Sequence, residues 1–395
     1  MDARGPRPGA VIARGLPAVA RRAKAGLLAA AVLAALAALF AFKAAAKMPD
    51  FEVYWRAGVR ALAAEPLYRE EDAHFRLKYL PAFAVLCIPA GLLPLTASKA
   101  AWFTVSAGLI PILIALCLSL PPTRRRPAWA LAGLTFVLMA KFFGHELILG
   151  QVNLFFAVLI VAAVIALQSH RKAAGGLLFA LAVVIKPYAV LFLPWLAAQR
   201  ESRALVAAAA GISAALLLPL PIYGLHGTAA LHLAWWQTVT ESTAPNLLNA
   251  DNVSLAAMFA KWLGAGQLSA LAATVSGIAL LVLSGAVVAA RKRVSAPEGL
   301  EAAMLLTLIP LLSPQGWDYV FLIATPAIVY LVNYDRDLPP ALRAATWLAL
   351  AVIGFSLYDL LGREAYGRFM ALSIISVCYL VAIAGLTTLR HRRVA

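Results

Sequence analysis

The sequence predicts an all-α, polytopic bundle of transmembrane helices, and three observations carry that prediction. Of the 395 residues, 63% are hydrophobic and only 13% charged, whereas soluble domains carry about 25% charged residues. Apolar runs of roughly 18 to 23 residues recur from Ala25 to Leu389, each long enough to cross a hydrocarbon core about 30 Å thick. Basic residues gather in the short links between these runs. A barrel would show alternating strands of about ten residues instead, and helices satisfy their own backbone inside lipid.

The 34 Lys and Arg outweigh 18 Asp and Glu to give a net charge of +16. In a soluble protein that excess would suggest nucleic acid. Here it sits at Arg21, Arg22 and Lys24, at Arg124 to Arg126, at His170 to Lys172, at Arg200 and Arg203, at Arg291 to Arg293 and around His391, which marks cytoplasmic links. Membrane lipids are therefore the expected surroundings and nucleic acid is not a partner. Cys87, Cys117 and Cys378 fall inside apolar runs without metal-ligand spacing, so neither a disulfide framework nor a zinc site is indicated.

Residues 1–24 are rich in Arg, Pro and Ala and read as a disordered cytoplasmic arm ahead of an uncleaved signal anchor. The first span, Ala25 to Ala46, delivers Pro49 to Leu77 to the outer face. That segment holds Asp50, Glu52, Glu65, Glu70, Glu71 and Asp72, and its Phe51, Trp55, Gly58 and Leu62 recur at helical spacing as an interfacial stripe. Between Tyr79 and Leu120 lie two apolar stretches, the first interrupted by Pro81, Pro89 and Pro94. If both cross, Arg124 to Arg126 fall outside, against the positive-inside bias; if the Pro-rich one is partial, the bias holds.

Trp129 to Leu149 then runs outward, Gly150 to Asn153 turn at the outer end, and Leu154 to Leu167 returns. Gly175 to Ala198 is broken at Lys186 and Pro187 between two basic flanks, as expected of two half-helices that dip in and come back. Leu205 to Tyr223 exits to a second outer loop near 225–252. Leu268 to Ala290, Leu300 to Leu312, Tyr319 to Val332, Leu342 to Phe355 and Phe369 to Leu389 complete ten to twelve membrane segments, counting partial ones. Residues 25–389 thus form one membrane domain, and 390–395 a basic cytoplasmic tail.

Polar residues at apolar depth cost a few kcal/mol each unless paired or functional. Here they are Lys141, His145, Glu146, Gln151 and Asn153 on one span and its outer end, Lys186 at the helix break, and Gln315 and Asp318 on another outer turn. Together with Asp50 and Glu52, most of them map to the outer half of the membrane, where one water-accessible cavity explains them economically. Asp50, tethered by Pro49 to the first span, is placed to accept a proton as a general base; the alternative is a solvated loop acid. Glu52 is the weaker candidate. Lys186 before Pro187 forms an anion site suited to a phosphate, or else snorkels to an interface. His145 and Glu146 face different ways, so no metal pair is expected. Trp235 and Trp236 read as an aromatic belt.

The turn Pro49-Asp50-Phe51-Glu52-Val53-Tyr54, the Tyr79-Leu80-Pro81 step, Gly150-Gln151-Val152-Asn153, Ala174-Gly175 leading to Ile185-Lys186-Pro187, and Leu312-Ser313-Pro314 followed by Trp317 occur in the order found in glycosyltransferase family 87. From about Met48 to Tyr330 the chain resembles these polyprenyl-phosphate-mannose-dependent mannosyltransferases. The resemblance implies a GT-C fold, a polyprenyl-phosphate sugar donor, a lipid or glycan acceptor, a plasma (inner) membrane location and an extracytoplasmic site whose base maps onto Asp50. It further implies a donor phosphate held by Lys186, Lys78 and Arg56, and a substrate pocket drawn from Glu52, Tyr54, Tyr79, His145, Gln151, Asn153, Gln315, Trp317 and Asp318. Where family members often carry histidine after the Ser-Pro-x-x-Trp turn, this chain has Asp318 and Tyr319. No cofactor or metal is required, because the leaving group is already a phosphate anion. The rival reading is a transporter or lipid-linked-sugar flippase, which would also use broken helices and buried ions.

Overall fold

A computed structural model describes residues 31–32 and 34–394. The basic arm of residues 1–24 and the opening residues of the first predicted span lie outside the described residues. The chain divides into two compact units, Met1–Lys47 and Met48–Ala395. In the first, the apolar helix Ala34–Ala44 ends in a π turn at Phe40–Ala44.

The second unit is helical throughout, with no strand among the described residues. Its helices are α1 (Pro49–Leu62), α2 (Pro81–Leu86), α3 (Leu95–Ser119), α4 (Ala128–Leu149), α5 (Asn153–Gln168), α6 (Lys172–Ile185), α7 (Phe192–Ala198), α8 (Ser202–Leu217), α9 (Leu220–Glu241), α10 (Leu255–Leu263), α11 (Gln267–Ala289), α12 (Glu298–Leu312), α13 (Thr325–Asn333), α14 (Pro340–Phe355), α15 (Tyr358–Ala371) and α16 (Ile374–His391). Among the described residues, four helices are long and apolar enough to cross a membrane: α3, α4, α16 and the one formed by α11 with its extension to Arg293. The number rises to six if each bent pair, α8 with α9 and α14 with α15, is one span. Against the ten to twelve segments expected, the structure thus supplies four to six candidate spans plus shorter apolar helices such as α5 and α6.

Proline and glycine decide where the segments break. The Pro-rich stretch after Tyr79 yields only α2 and a turn at Ile88–Gly91, whereas α3 runs 25 residues through Pro111. Of the two apolar stretches in this region, then, one is a full-length helix and the other a fragment. Pro219 and Pro221 lie at the junction where α8 turns by 91° into α9. Helix α9 carries Trp235 and Trp236, so most of the outer loop expected near 225–252 is helix, and the loop proper begins at Ser242.

Lys186 is extended, at φ −141° and ψ 113°, and ends α6 at the expected break. Pro187 then starts a 3-10 turn, Pro187–Leu191, ahead of α7. Small residues let α6 and α8 approach closely: a Cβ on Gly176 would collide with the Ala204 carbonyl, the mode by which membrane helices pack without a hydrophobic driving force.

Helix α1 corrects the expected stripe. The buried positions are Phe51, Val53, Tyr54, Ala57, Gly58 and Ala61, while Leu62 is exposed and Trp55 half-buried. Tyr54 replaces Trp55 on the inner face because its hydroxyl finds partners there, whereas the Trp55 indole donates to the Leu93 carbonyl at 2.9 Å. Gly58 permits the contact with the end of α2, since a Cβ there would strike the Cys87 carbonyl.

Arg390 and Arg291 also do more than mark topology. Arg390 is fully buried and its guanidinium meets Glu301 Oε1 at 3.2 Å and the Pro297 carbonyl at 2.8 Å. Trp195 donates to the other Glu301 oxygen at 2.9 Å, and Arg291 reaches Glu298 at 2.9 Å and Gln199 at 2.7 Å. This lock joins the C-terminal end of α16 to the N-terminal end of α12 and to α7.

Candidate active site

Gly150 builds the centre of the site. It ends α4 in the left-handed conformation, φ 70°, where any L side chain is strained. A Cβ at Gly150 would also press into Phe51 and Met48. Its absence lets the end of α4 meet the start of α1, where the Met48 N–H donates to the Ile148 carbonyl at 2.9 Å. That contact sets Gln151 beside the first turn of α1.

Tyr54 donates to Gln151 Oε1 at 3.0 Å and shares a hydrogen bond of 2.6 Å with Tyr79, while Gln151 Nε2 donates to the Tyr319 hydroxyl at 3.4 Å. Asp50 faces this group. Burial pushes its carboxyl above the ordinary aspartate value, opposed by the Gln151 side chain and by the ammonium groups of Lys186 and Lys78. Burial likewise pushes Lys78 below the ordinary lysine value, opposed by Asp50. The carboxylate after the first predicted span and the lysine at the broken helix, 136 positions apart in the chain, are therefore electrostatic neighbours.

Lys186 is buried, and its Nζ lies 5.7 Å from the centre of the Tyr79 ring. Its other carboxylate neighbour is Glu146. Glu146 is held rigidly: Asn153 Nδ2 donates to one oxygen and the Leu154 N–H to the other, both at 2.8 Å. The Gly-Gln-Val-Asn turn thus positions two side chains at once, Gln151 on the tyrosines and Asn153 on Glu146.

A polar rim joins these groups to the later turn. Lys78 Nζ is 3.5 Å from Gln315 Oε1, and Gln315 Nε2 donates to Thr243 and Ser242 at 3.2 and 3.3 Å. The turn itself is pinned to residues 251–253, where Val253 N–H donates to the Gly316 carbonyl at 2.7 Å and Asp318 N–H to the Asp251 carbonyl at 3.0 Å. Nearby, an open recess of about 520 Å³ is lined by Arg60, Pro66, Tyr68, Arg69, Glu70 and Glu71. Asp50 is not among its lining residues, although Tyr68 in its wall donates to the Tyr79 carbonyl at 2.7 Å.

The structure brings together Asp50, Tyr54, Lys78, Tyr79, Gln151 and Lys186, with Asn153 behind them and Gln315 at the rim. Glu52 and Arg56 are placed elsewhere. Glu52 pairs with Lys99 at 2.6 Å, and Arg56 with Asp72 at 3.1 Å, because both point away from Asp50 around the helix. His145 and Asp318 form a second cluster with Lys141, and Trp317 contributes its backbone to a bridge with Asn252. Glu146, Lys141, Asp251 and Tyr319 were absent from the expected site. Glu146 and Lys141 carried a signal, being charged at apolar depth, and Tyr319 carried one through the resemblance, standing with Asp318 where family members often have histidine; Asp251 looked like an ordinary loop residue.

A family model, glycosyltransferase family 87, matches residues 78–314, more than half of the chain. Lys78, Tyr79, His145, Gln151, Asn153 and Lys186 fall inside the match; Asp50 lies 28 positions before it, and the Gln315 to Asp318 turn follows directly after it. Neither the curated proteins nor the solved structures include a match.

Proposed function

The chain belongs to glycosyltransferase family 87, and from that premise we propose that it moves a sugar from a polyprenyl-phosphate donor to a lipid or glycan acceptor with inversion at the anomeric carbon. The observation that carries this reading is the placement of Asp50 against Gln151, Lys186 and Lys78. In the proposed step Asp50 takes the proton of an acceptor hydroxyl as that oxygen attacks the anomeric carbon. The bond from this carbon to the phosphate oxygen breaks, and the electron pair leaves with the phosphate. Lys186 and Lys78 neutralise that leaving group; Arg56, already engaged by Asp72, is left out of the role.

Mannose or a related hexose or pentose is the proposed sugar, and the outer face of the plasma membrane the proposed location. The ten to twelve segments of a GT-C-like bundle would then include the short helices α5, α6, α7 and α13 as partial spans. Membership of a glycosyltransferase family takes the place of the transporter or flippase alternative.

The test uses the purified full chain in nanodiscs with polyprenyl-phosphate mannose, arabinose and glucose as labelled donors. Asp50→Asn should suppress transfer and hydrolysis of whichever donor is used while leaving the unfolding temperature unchanged. Wild-type-like turnover by that variant would remove Asp50 as the base.

A further inference from the structure

Helix α4 has a second polar face. Lys141 and His145, one turn apart, both turn towards Asp318, at 3.5 Å from Lys141 Nζ and 3.9 Å from His145 Nδ1. Asp318 is 3% exposed, and its Oδ2 has no hydrogen-bond partner among the described residues. Lys141 also donates to Ser356 Oγ at 3.3 Å and lies 5.4 Å from the Tyr366 ring centre. Asp251 is exposed and in electrostatic contact with Asp318, His145, Lys261 and Lys141. The cluster opens outward through Asp251 and His145, whose side chain is 40% exposed.

We propose that this cluster is the acceptor subsite, built to hold a neutral polyhydroxylated head group, and the proposal rests on the reading of Asp50 as the base. Position supports it first. Tyr319 follows Asp318 in the chain, takes a hydrogen bond from Gln151 at 3.4 Å and is in electrostatic contact with both Asp50 and Asp318, so the second cluster and the base share this tyrosine as a neighbour. In an inverting displacement the attacking hydroxyl approaches opposite the departing phosphate, which calls for a place next to the base and distinct from the phosphate's cations.

Charge supports it second. Lys141 is neutralised by Asp318, and the Lys261 ammonium spends its donors on the carbonyls of Ala250, Asn252 and Met370. The Lys261 charge then balances that of Asp251, so the cluster offers a phosphate no surplus cation, while the Asp251 carboxylate can accept hydrogen bonds from hydroxyls. The Tyr366 ring offers the apolar face that a sugar ring needs, and α15, which carries it, is exposed along most of its length.

The experiment measures binding to the full chain in nanodiscs. Hexyl α-D-mannoside, hexyl β-D-glucoside and hexyl β-D-galactoside are titrated beside hexane-1,2-diol, which partitions into the bilayer without a sugar ring, and undecaprenyl phosphate serves as the donor-side probe. At least one glycoside should bind above the diol. Asp251→Asn and Tyr366→Ala should each weaken it about tenfold. Undecaprenyl phosphate should change by no more than about twofold in these variants and by about tenfold or more in Lys186→Gln.

Three results would overturn the subsite: no glycoside binding above the diol, glycoside affinity unmoved by both variants, or equal weakening of glycoside and phosphate. If instead Lys186→Gln leaves undecaprenyl phosphate binding intact, the donor-side reading fails while the glycoside arm still judges the acceptor subsite.

Discussion

Two ends of α12 carry buried ions with opposite characters. Near its N-terminus Glu301 has both oxygens engaged, by Trp195 and by the Arg390 guanidinium, and Arg390 in turn holds a backbone carbonyl. Beyond its C-terminus, about 18 Å away at 1.5 Å per residue, lies the turn that carries Gln315, Asp318 and Tyr319 to the candidate site. There the cations are lysines and the neighbours are tyrosines and amides. Arginine forks saturate a carboxylate in a fixed geometry, whereas lysine is a point charge with donors to spare. The saturated end ties helices together; the unsaturated end has capacity left for a substrate.

Substitutions can break or sharpen that contrast. The largest expected effect on activity is at Asp50. Asp50→Asn should lower turnover by about 10²- to 10⁴-fold, the usual contribution of a general base, with no change in unfolding temperature. Glu301→Gln should do the reverse: it strands Arg390 without a counter-charge and should cost about 3–5 kcal/mol of stability, read as an earlier thermal transition, while the turnover of the folded fraction stays near wild type. A Glu301→Gln protein as stable as wild type would dissolve the distinction between the two ends.

Next in size comes Lys186→Gln, expected to raise the donor KM by about 10- to 100-fold through loss of a charge-assisted contact. Gly150→Ala should follow, since it forces a side chain into a left-handed residue and into Phe51. We expect a stability loss of about 1–2 kcal/mol, with a fall in kcat as Gln151 shifts from Tyr54; an unchanged kcat would detach Gln151 from the site.

The pH profile gives a further discrimination. Because burial raises the Asp50 carboxyl, the base stays protonated to a higher pH than a free aspartate, and kcat/KM should fall on the acid side through a value above the ordinary one. Lys78→Met removes a cation that opposes the rise, so it should move that limb to still higher pH; a shift to lower pH would rule out their coupling. The smallest effect belongs to Arg56→Gln. Its half-exposed pair with Asp72 is worth at most about 1 kcal/mol, and donor KM should not move.

Much of this was legible in the sequence. The helical membrane class follows from composition and apolar run length, and the break at Lys186-Pro187 from the missing proline N–H. Lys141, Glu146 and Lys186 stood out because charge at apolar depth is costly. Glu52 and Arg56 entered the expected pocket through the resemblance, and the structure turns both away from Asp50, to Lys99 and Asp72, since a helix sends neighbouring residues to different sides. Asp251 could not be singled out, since it gains its meaning from Asp318, His145 and Lys141 on other segments, and Tyr319 was marked only by the histidine that family members often carry there.

The sequence by itself therefore determined the family, the helical membrane class and the inventory of charged residues that need a reason to be buried. Only the tertiary structure decided who meets whom: Asp50 with Lys186, Lys78 with Gln315, Arg390 with Glu301, and His145 with Asp318 rather than with Asp50. The division has a physical cause. Hydropathy, proline and glycine act within a few residues and can be read in order, whereas an ion's partner is chosen by whichever distant segments the packed helices bring within a few ångströms.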